Sequence, residues 1–96
     1  MSVKFDDIKR AVSLRFGVSI EALDGHSQPA IHTVPRQIVM YLARELTLLS
    51  LPNCGQRLGG RNHKTILHGA RKVREKVASD PAFAAMIEDM KRGLTS

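Results

Sequence analysis

The sequence predicts an all-α fold of about six helices, with a helix-turn-helix at its centre. Apolar residues recur at the three- and four-residue spacing of amphipathic helices along most of the chain. No segment has the alternating, β-branched pattern of a strand. Gly59 and Gly60 stand between two helical patterns, where glycine can end a helix because it reaches positive φ without steric cost. The 96 residues are predicted to form one domain, residues 1–96.

The first half of the chain is predicted to hold three helices. Apolar spacing predicts a helix over residues 5–16 that Gly17 ends, and Ser19 caps a short second helix. Residues 25–34 are predicted to form a turn-rich loop. Pro35 is predicted to start a long third helix, because proline is tolerated in a first turn. The apolar positions of these helices are Phe5, Ile8, Val12, Phe16, Ile20, Ala22, Leu23, Ile38, Tyr41, Leu42, Leu46 and Leu49.

The second half contains the helix-turn-helix and a final helix. Ser50 and Pro52 are a typical helix start, and Asn62 is placed to cap the next helix. Asp80 and Pro81 start the last helix in the same way. The first residues of the second helix of a helix-turn-helix meet base edges in the major groove. The apolar positions of the last two helices are Ile66, Ala70, Val73, Val77, Phe83, Ile87, Met90 and Leu94.

The charge of the chain points to a polyanionic partner. Its formal net charge is +6 and its pI is about 10.1, which favours nucleic acid first and an anionic membrane second. The basic residues concentrate on the second half of the helix-turn-helix, where Glu75 is the one acid between Arg57 and Lys76. A merely solvated face is the plainer alternative, and this concentration disfavours it. The basic residues are Arg57, Arg61, Lys64, Arg71, Lys72, Arg74 and Lys76.

Cysteine usage and hydropathy bear on the cellular compartment. The single cysteine, Cys54, excludes an internal disulfide and suits a reducing cytoplasm. Charged residues interrupt every apolar run, so neither a signal peptide nor a membrane span is expected. We therefore predict a cytoplasmic, nucleoid-associated protein without integral membrane association.

The segment GGRNHKTILHGARKV, residues 59–73, resembles the signature of the DNA-binding domain of the DnaA family of bacterial replication initiators. The usual form of that signature is close to GGRDHTTVLHA. The segment VPRQIVMYLARELTLLSLPNCG, residues 34–55, is similar to the preceding helix and turn of the same domain. The resemblance runs from about Val3 to Leu94 without large gaps, and PRQ, LARELT and GGRxHxT together are far more specific than a generic helix-turn-helix pattern.

The resemblance implies a DnaA C-terminal fold, similar to that of the Trp repressor. It also implies sequence-specific binding of double-stranded DNA, like the recognition of DnaA boxes at replication origins. The process would be regulation of replication initiation or of transcription, and a monomer is expected. The alternative is a protein-interaction module that docks a replication protein through its basic face. A weaker third option is contact with an anionic membrane through an amphipathic helix over residues 4–16.

Three residues at the start of the fifth helix are the predicted base readers: Asn62, His63 and Lys64. The Asn62 amide has a donor and an acceptor and can bind adenine bidentately, although it can equally act only as a helix cap. His63 offers a ring N–H to a base or a phosphate, and its alternative is a partly buried polar role. Lys64 stands where a guanine edge or a phosphate would pass. His68, from the same motif, is expected to pack or to make a structural hydrogen bond.

The predicted phosphate contacts lie around these readers. Arg57 and Arg61 flank the turn, and Thr65 follows Lys64. The resemblance implies that Arg36 and Gln37, from the PRQ motif, clamp phosphates at a helix start; ordinary solvated side chains are the alternative. Phosphate contacts fix register and add affinity without reading sequence.

The sequence departs from the family pattern at three positions. The resemblance implies aspartate at position 62 and a small hydroxyl residue at position 64, so Asn62 and Lys64 must alter which bases are favoured. It also implies a minor-groove arginine in the loop before PRQ, and Gln28 stands at that position. Residues 25–34 hold no lysine or arginine, and the loop's histidines are mostly neutral at pH 7.

The sequence gives no support to an enzyme. His63 and His68 are five residues apart, not the i, i+4 pair that shares a metal on a helix. Cys54 has no motif partner, and no GxxxxGK[ST] loop occurs, so these residues lack the ATPase of the DnaA family. We expect no catalytic residue, no cofactor and no metal site.

Overall fold

The computed structural model describes residues 3–26 and 30–96, and these residues form six α-helices without a strand. The all-α prediction is therefore confirmed for this part of the chain. The helices are α1 (Phe5–Phe16), α2 (Ile20–Asp24), α3 (Ala30–Leu46), α4 (Leu51–Arg57), α5 (His63–Ser79) and α6 (Pro81–Thr95).

Local capping signals account for most of the helix boundaries. Gly17 ends α1 in the left-handed region at φ 64°, as its lack of a side chain allows. The Ser19 hydroxyl accepts from the Ala22 N–H at 3.1 Å and begins α2. Asp80 accepts from the Phe83 N–H at 3.1 Å and begins α6. The predicted starts and ends of these helices are confirmed.

The start of α3 was predicted wrongly. The helix begins at Ala30, and Pro35 lies inside it. Residues 30–34 are therefore helical, although they were expected to belong to a loop over residues 25–34. A proline at the sixth helical position removes one backbone donor, a cost of about 3 kcal/mol in an interior turn. Pro35 is buried, and the burial of the apolar face of α3 offsets that cost.

The core is built around the packing of α3 on α5, the most extensive helix pair in the described part of the chain. The two helices approach closely at Gly69, where a Cβ atom would collide with the Met40 sulfur. Helix α1 packs on the other side of α3, while α4 and α6 pack against α5. The largest fully buried side chains are Ile8, Val12, Leu23, Ile38, Val39, Leu42, Cys54, Leu58, Ile66 and Ile87.

No helix in residues 3–26 and 30–96 is long and apolar enough to cross a membrane.

Candidate nucleic-acid interface

Helices α4 and α5 form the predicted helix-turn-helix. The Ser50 hydroxyl accepts from the Asn53 N–H at 3.3 Å and begins α4, with Pro52 in the first turn. Gly59 and Gly60 turn the chain at φ 72° and 76°, a region that residues with side chains rarely enter. The predicted start of α4 and the glycine turn are confirmed.

The two helices are locked together at Gly55. Its carbonyl accepts from the Arg61 N–H at 2.8 Å, and a Cβ atom on Gly55 would collide with the Arg61 carbonyl. Cys54 and Ile66 are buried beside this contact, and burial raises the pKa of the Cys54 thiol. The turn between α4 and α5 is therefore tightly packed.

The start of α5 carries the predicted base readers and Thr65 together on the surface. Asn62, His63, Lys64 and Thr65 are all exposed. The Asn62 side-chain oxygen accepts from the Lys64 N–H at 2.8 Å, so the predicted helix cap is confirmed. The cap uses one lone pair of the Asn62 oxygen, and both hydrogens of the amide N–H₂ group remain for a base.

A line of exposed side chains continues from Lys64 along α5. His68 lies four residues and Arg71 seven residues after Lys64, a spacing that places the three on one face of the helix. Both His68 and Arg71 are exposed. His68 was expected to pack or to make a structural hydrogen bond; it lies outside the apolar face of α5, which consists of Ile66, Ala70 and Val73. His68 also lies beside Thr65 in the cleft that separates α3 from α5.

The sequence model of the family described as "Bacterial dnaA protein helix-turn-helix" matches residues 5–73. The chain belongs to this DnaA helix-turn-helix family. The matched range holds α1 to α4 and the first two-thirds of α5, so it includes every predicted site residue.

Individual DnaA proteins are similar to nearly the whole chain. The chromosomal replication initiator protein DnaA of Rhodopseudomonas palustris strain BisA53 is 44% identical over 92 residues, which are 96% of this chain and 19% of that protein. The protein of the same name from Xanthobacter autotrophicus is 48% identical over 90 residues, 94% of this chain and 18% of that protein. The chain thus spans about a fifth of the length of the curated relatives it matches.

Exposed cations lie on both helices of the helix-turn-helix that carries the predicted base readers. Arg57, at the end of α4, is exposed, as are Arg71, Lys72 and Arg74 on α5. Lys76 lies 4.9 Å from the centre of the Phe83 ring, and this cation–π contact joins α5 to α6. The exposed cations provide the positive surface that a polyanion requires.

Arg36 and Arg61, two of the predicted phosphate contacts, instead donate to backbone carbonyls in this structure. Arg36 is 5% exposed, and its guanidinium donates to the carbonyls of Ala22 at 2.7 Å and Leu23 at 3.3 Å. Arg61 is half-buried and donates to carbonyls of the same α2 end. Burial and the neighbouring Arg36 charge lower the pKa of Arg61, and Asp24 acts against them. The geometry supports a structural role for both, and their phosphate contacts stay predictions.

Of the two glutamines predicted to contact DNA, Gln37 and Gln28, the structure describes only Gln37. Gln37 is half-buried and lines the cleft between α3 and α5. Gln28, the predicted minor-groove residue, lies outside the described residues. The described start of its loop touches the turn, since the Nε2 atom of His26 lies 2.6 Å from the Gly59 carbonyl oxygen.

Lys9, which joins three helices next to the helix-turn-helix, was not identified from the sequence. Lys9 of α1 is 8% exposed, and its ammonium donates to both Asp24 carboxylate oxygens at 2.9 and 3.1 Å. It also donates to the Arg57 carbonyl at 2.9 Å, so it joins α1, α2 and the end of α4. A signal was present, because Lys9 falls between Phe5 and Val12 at the spacing of the apolar face of α1. A lysine on such a face needs a buried partner.

The residues described, 3–26 and 30–96, contain no group of three or more His, Cys, Asp or Glu that could hold a metal ion. The start of α5 presents an amide, an imidazole, an ammonium and a hydroxyl on its exposed surface.

Proposed function

We propose that this domain binds double-stranded DNA sequence-specifically by placing the start of α5 in the major groove. The observation that carries the proposal is the exposed set Asn62, His63, Lys64 and Thr65, held at the turn of a DnaA-type helix-turn-helix. In such motifs the first residues of the second helix reach base edges while flanking residues contact phosphates. The positive charge around the set favours this placement.

Each reader has a distinct chemical role in the proposed complex. The Asn62 N–H₂ group, with its oxygen retained in the cap, donates to an acceptor such as guanine O6 or thymine O4. The Lys64 ammonium donates to guanine O6 or N7 or to a phosphate beside it. His63 donates from its ring to a base or a phosphate. Arg57 supplies an exposed phosphate contact, and Thr65 another.

We infer that the target is related to, but distinct from, the DnaA box. Relatives of this chain are named chromosomal replication initiator proteins, which supports replication initiation as the process. Replacing a carboxylate by an amide at position 62 changes an acceptor into a group that also donates. Replacing a short hydroxyl by an ammonium at position 64 favours acceptor-rich guanine. Both changes alter the preferred bases.

Selection of binding sites from random duplex DNA tests the proposal. The expected result is a defined preferred site, bound more tightly than unrelated duplexes by a factor above roughly 10³. A ratio of about 1 to 10 would contradict sequence-specific binding. Retained binding to an isolated replication protein would then favour the protein-interaction module.

The substitution Gln28→Arg is expected to raise affinity and to create a preference for A·T pairs at the flank of the site. A narrow A·T-rich minor groove concentrates negative potential and attracts an inserted arginine, which the uncharged Gln28 cannot replace. In the unsubstituted domain, exchanging A·T for G·C at this flank should change the binding free energy by well under about 1 kcal/mol. Dissociation constants for the paired duplexes measure both effects.

Gln56→Arg is the matched control, because it adds the same charge at an exposed position of α4. It should raise affinity for all duplexes without a preference at the flank. If the unsubstituted domain already discriminates strongly between A·T and G·C at this flank at about pH 7.5, the uncharged loop does not explain the flank preference, since free histidine is mostly neutral at that pH. That explanation also fails if Gln28→Arg changes neither affinity nor preference.

A further inference from the structure

The Arg61 side chain joins the ends of two helices. Its guanidinium donates to the Leu58 carbonyl at 2.6 Å, at the C-terminal end of α4. It also donates to the carbonyls of Leu23 at 3.2 Å and Asp24 at 3.5 Å, and to that of Gly25, at the C-terminal end of α2. The last carbonyls of a helix have no partner within the helix, and a guanidinium has five donors with which to satisfy them.

The same end of α2 is fixed from other directions. Lys9 donates to the Asp24 carboxylate and to the Arg57 carbonyl, and so joins α2 to the end of α4 a second time. Arg36 also donates to the Leu23 carbonyl, and to that of Ala22 as well. The C-terminal end of α2 is therefore a rigid support beside the helix-turn-helix.

The glycine turn rests directly on this support. A Cβ atom on Gly59 would collide with the Asp24 carbonyl, so the backbone of the turn lies against α2. The Nε2 atom of His26, just after α2, lies within hydrogen-bond distance of the Gly59 carbonyl oxygen. The backbone N–H of Arg61 is held as well, since it donates to the Gly55 carbonyl at 2.8 Å. Arg61 thus has both its backbone and its side chain fixed one residue before the cap of α5.

We propose that Arg61 is a positioning residue for base recognition, which holds the helix-turn-helix turn against α2 and thereby sets where Asn62 and His63 meet the bases. This inference rests on the proposed DNA-binding function. It differs from the phosphate contact predicted from the sequence, because the guanidinium acts on backbone carbonyls and reaches DNA only through its neighbours. Lysine cannot replace it in full, since a single ammonium nitrogen cannot reach the four carbonyls that the guanidinium contacts through two nitrogens.

The test compares Arg61→Lys with Arg92→Lys, a matched control that also keeps its positive charge but alters an exposed arginine of α6. Dissociation constants are measured by competition for the selected duplex and for an unrelated duplex, below the melting temperature of each variant. A phosphate contact tolerates lysine, which keeps the charge. A positioning role requires the forked guanidinium.

For Arg61→Lys we expect affinity for the selected duplex to fall by roughly tenfold or more, the effect of losing about one base contact. Affinity for the unrelated duplex should change by less than about threefold, because phosphate contacts remain. The control should change both affinities by less than about threefold. Combining Arg61→Lys with His63→Ala should cost less than the sum of the single losses, because the two residues act on the same contact.

An unchanged ratio of the two affinities in Arg61→Lys would overturn the proposal, whether both affinities persist or fall together. An equal fall is the result expected of a merely structural residue, which lowers the folded fraction. Failure of the proposed function gives a different result: the unsubstituted domain itself would then show no preferred duplex.

The unsubstituted domain provides a test that does not depend on folding of the variant. The guanidinium nitrogen signals of Arg61 and Arg57 are followed by nuclear magnetic resonance as the selected duplex is added. We expect the Arg57 signals to shift and those of Arg61 to remain close to their free positions. A large shift of the Arg61 guanidinium with little change at Arg57 would overturn the proposal.

Discussion

The affinity of the domain for duplex DNA is expected to fall by about 60- to 500-fold when salt is raised from about 50 to about 200 mM. The exposed cations at the helix-turn-helix support about three to five phosphate contacts, which give a slope of log K against log salt of roughly −3 to −4.5. Arg36 and Arg61 are left out because they donate to carbonyls of α2. The contributing cations are Arg57, Lys64, Arg71, Lys72 and Arg74.

Two substitutions of arginine by uncharged methionine test whether the salt dependence of DNA affinity arises at the helix-turn-helix. Arg57→Met should make the slope shallower by about 0.9, the effect of one phosphate contact. Arg92→Met is the control, because Arg92 is exposed on α6 and pairs with Asp89 at 3.4 Å, away from the turn. It should leave the slope unchanged. A slope shallower than about −2 in the unsubstituted domain would contradict the predicted phosphate contacts.

The substitution Gly55→Ala is expected to lower the free energy of unfolding by roughly 2–3 kcal/mol, although alanine is the better helix former. The added Cβ atom would collide with the Arg61 carbonyl, a backbone atom that cannot rotate aside. The α4–α5 turn must then open, which weakens the hydrogen bond from the Arg61 N–H to the Gly55 carbonyl. In a domain of this size the melting temperature should fall by about 10–20 °C, as measured by circular dichroism.

Gly93→Ala is the matched control for this substitution. Gly93 lies in α6, and a Cβ atom there meets nothing within 4 Å. We expect an unchanged or slightly higher melting temperature, because alanine has the higher helix propensity by up to about 1 kcal/mol. Similar losses in the two variants would show that the close contact at Gly55 does not govern stability.

Features that depend on neighbouring residues in the sequence were predictable. Ser19, Ser50, Asn62 and Asp80 each cap a helix through a hydrogen bond to a residue two or three positions on, and that bond depends on local backbone alone. The start of α3 was not predictable in this way. A proline in a first turn and a proline inside a helix give the same local pattern, and the choice depends on burial of α3 against the core.

The roles of the arginines depend on tertiary structure and could not be predicted from the sequence. Arg57 and Arg61 stand only four residues apart, yet the first is exposed and the second donates to the end of α2. That difference arises because α2, nearly forty residues earlier, packs beside the turn. The residues predicted to contact DNA at positions 62–65 could be named from the sequence, because a glycine turn before a capped helix is itself a local pattern.

The central claim is that the start of α5 reads bases, and discrimination between single base pairs tests it most directly. Dissociation constants are measured for the selected duplex and its single-pair substitutions with His63→Ala, Asn62→Ser and Arg57→Ala. Serine at position 62 keeps a capping oxygen while it removes the amide, so helix α5 stays capped.

We predict that His63→Ala and Asn62→Ser each lose roughly 1–3 kcal/mol on the selected duplex and lose discrimination at one base pair. Arg57→Ala should weaken binding to every duplex about equally, because a phosphate contact carries no sequence information. Equal losses on every duplex for all three variants would contradict the claim that α5 reads the bases.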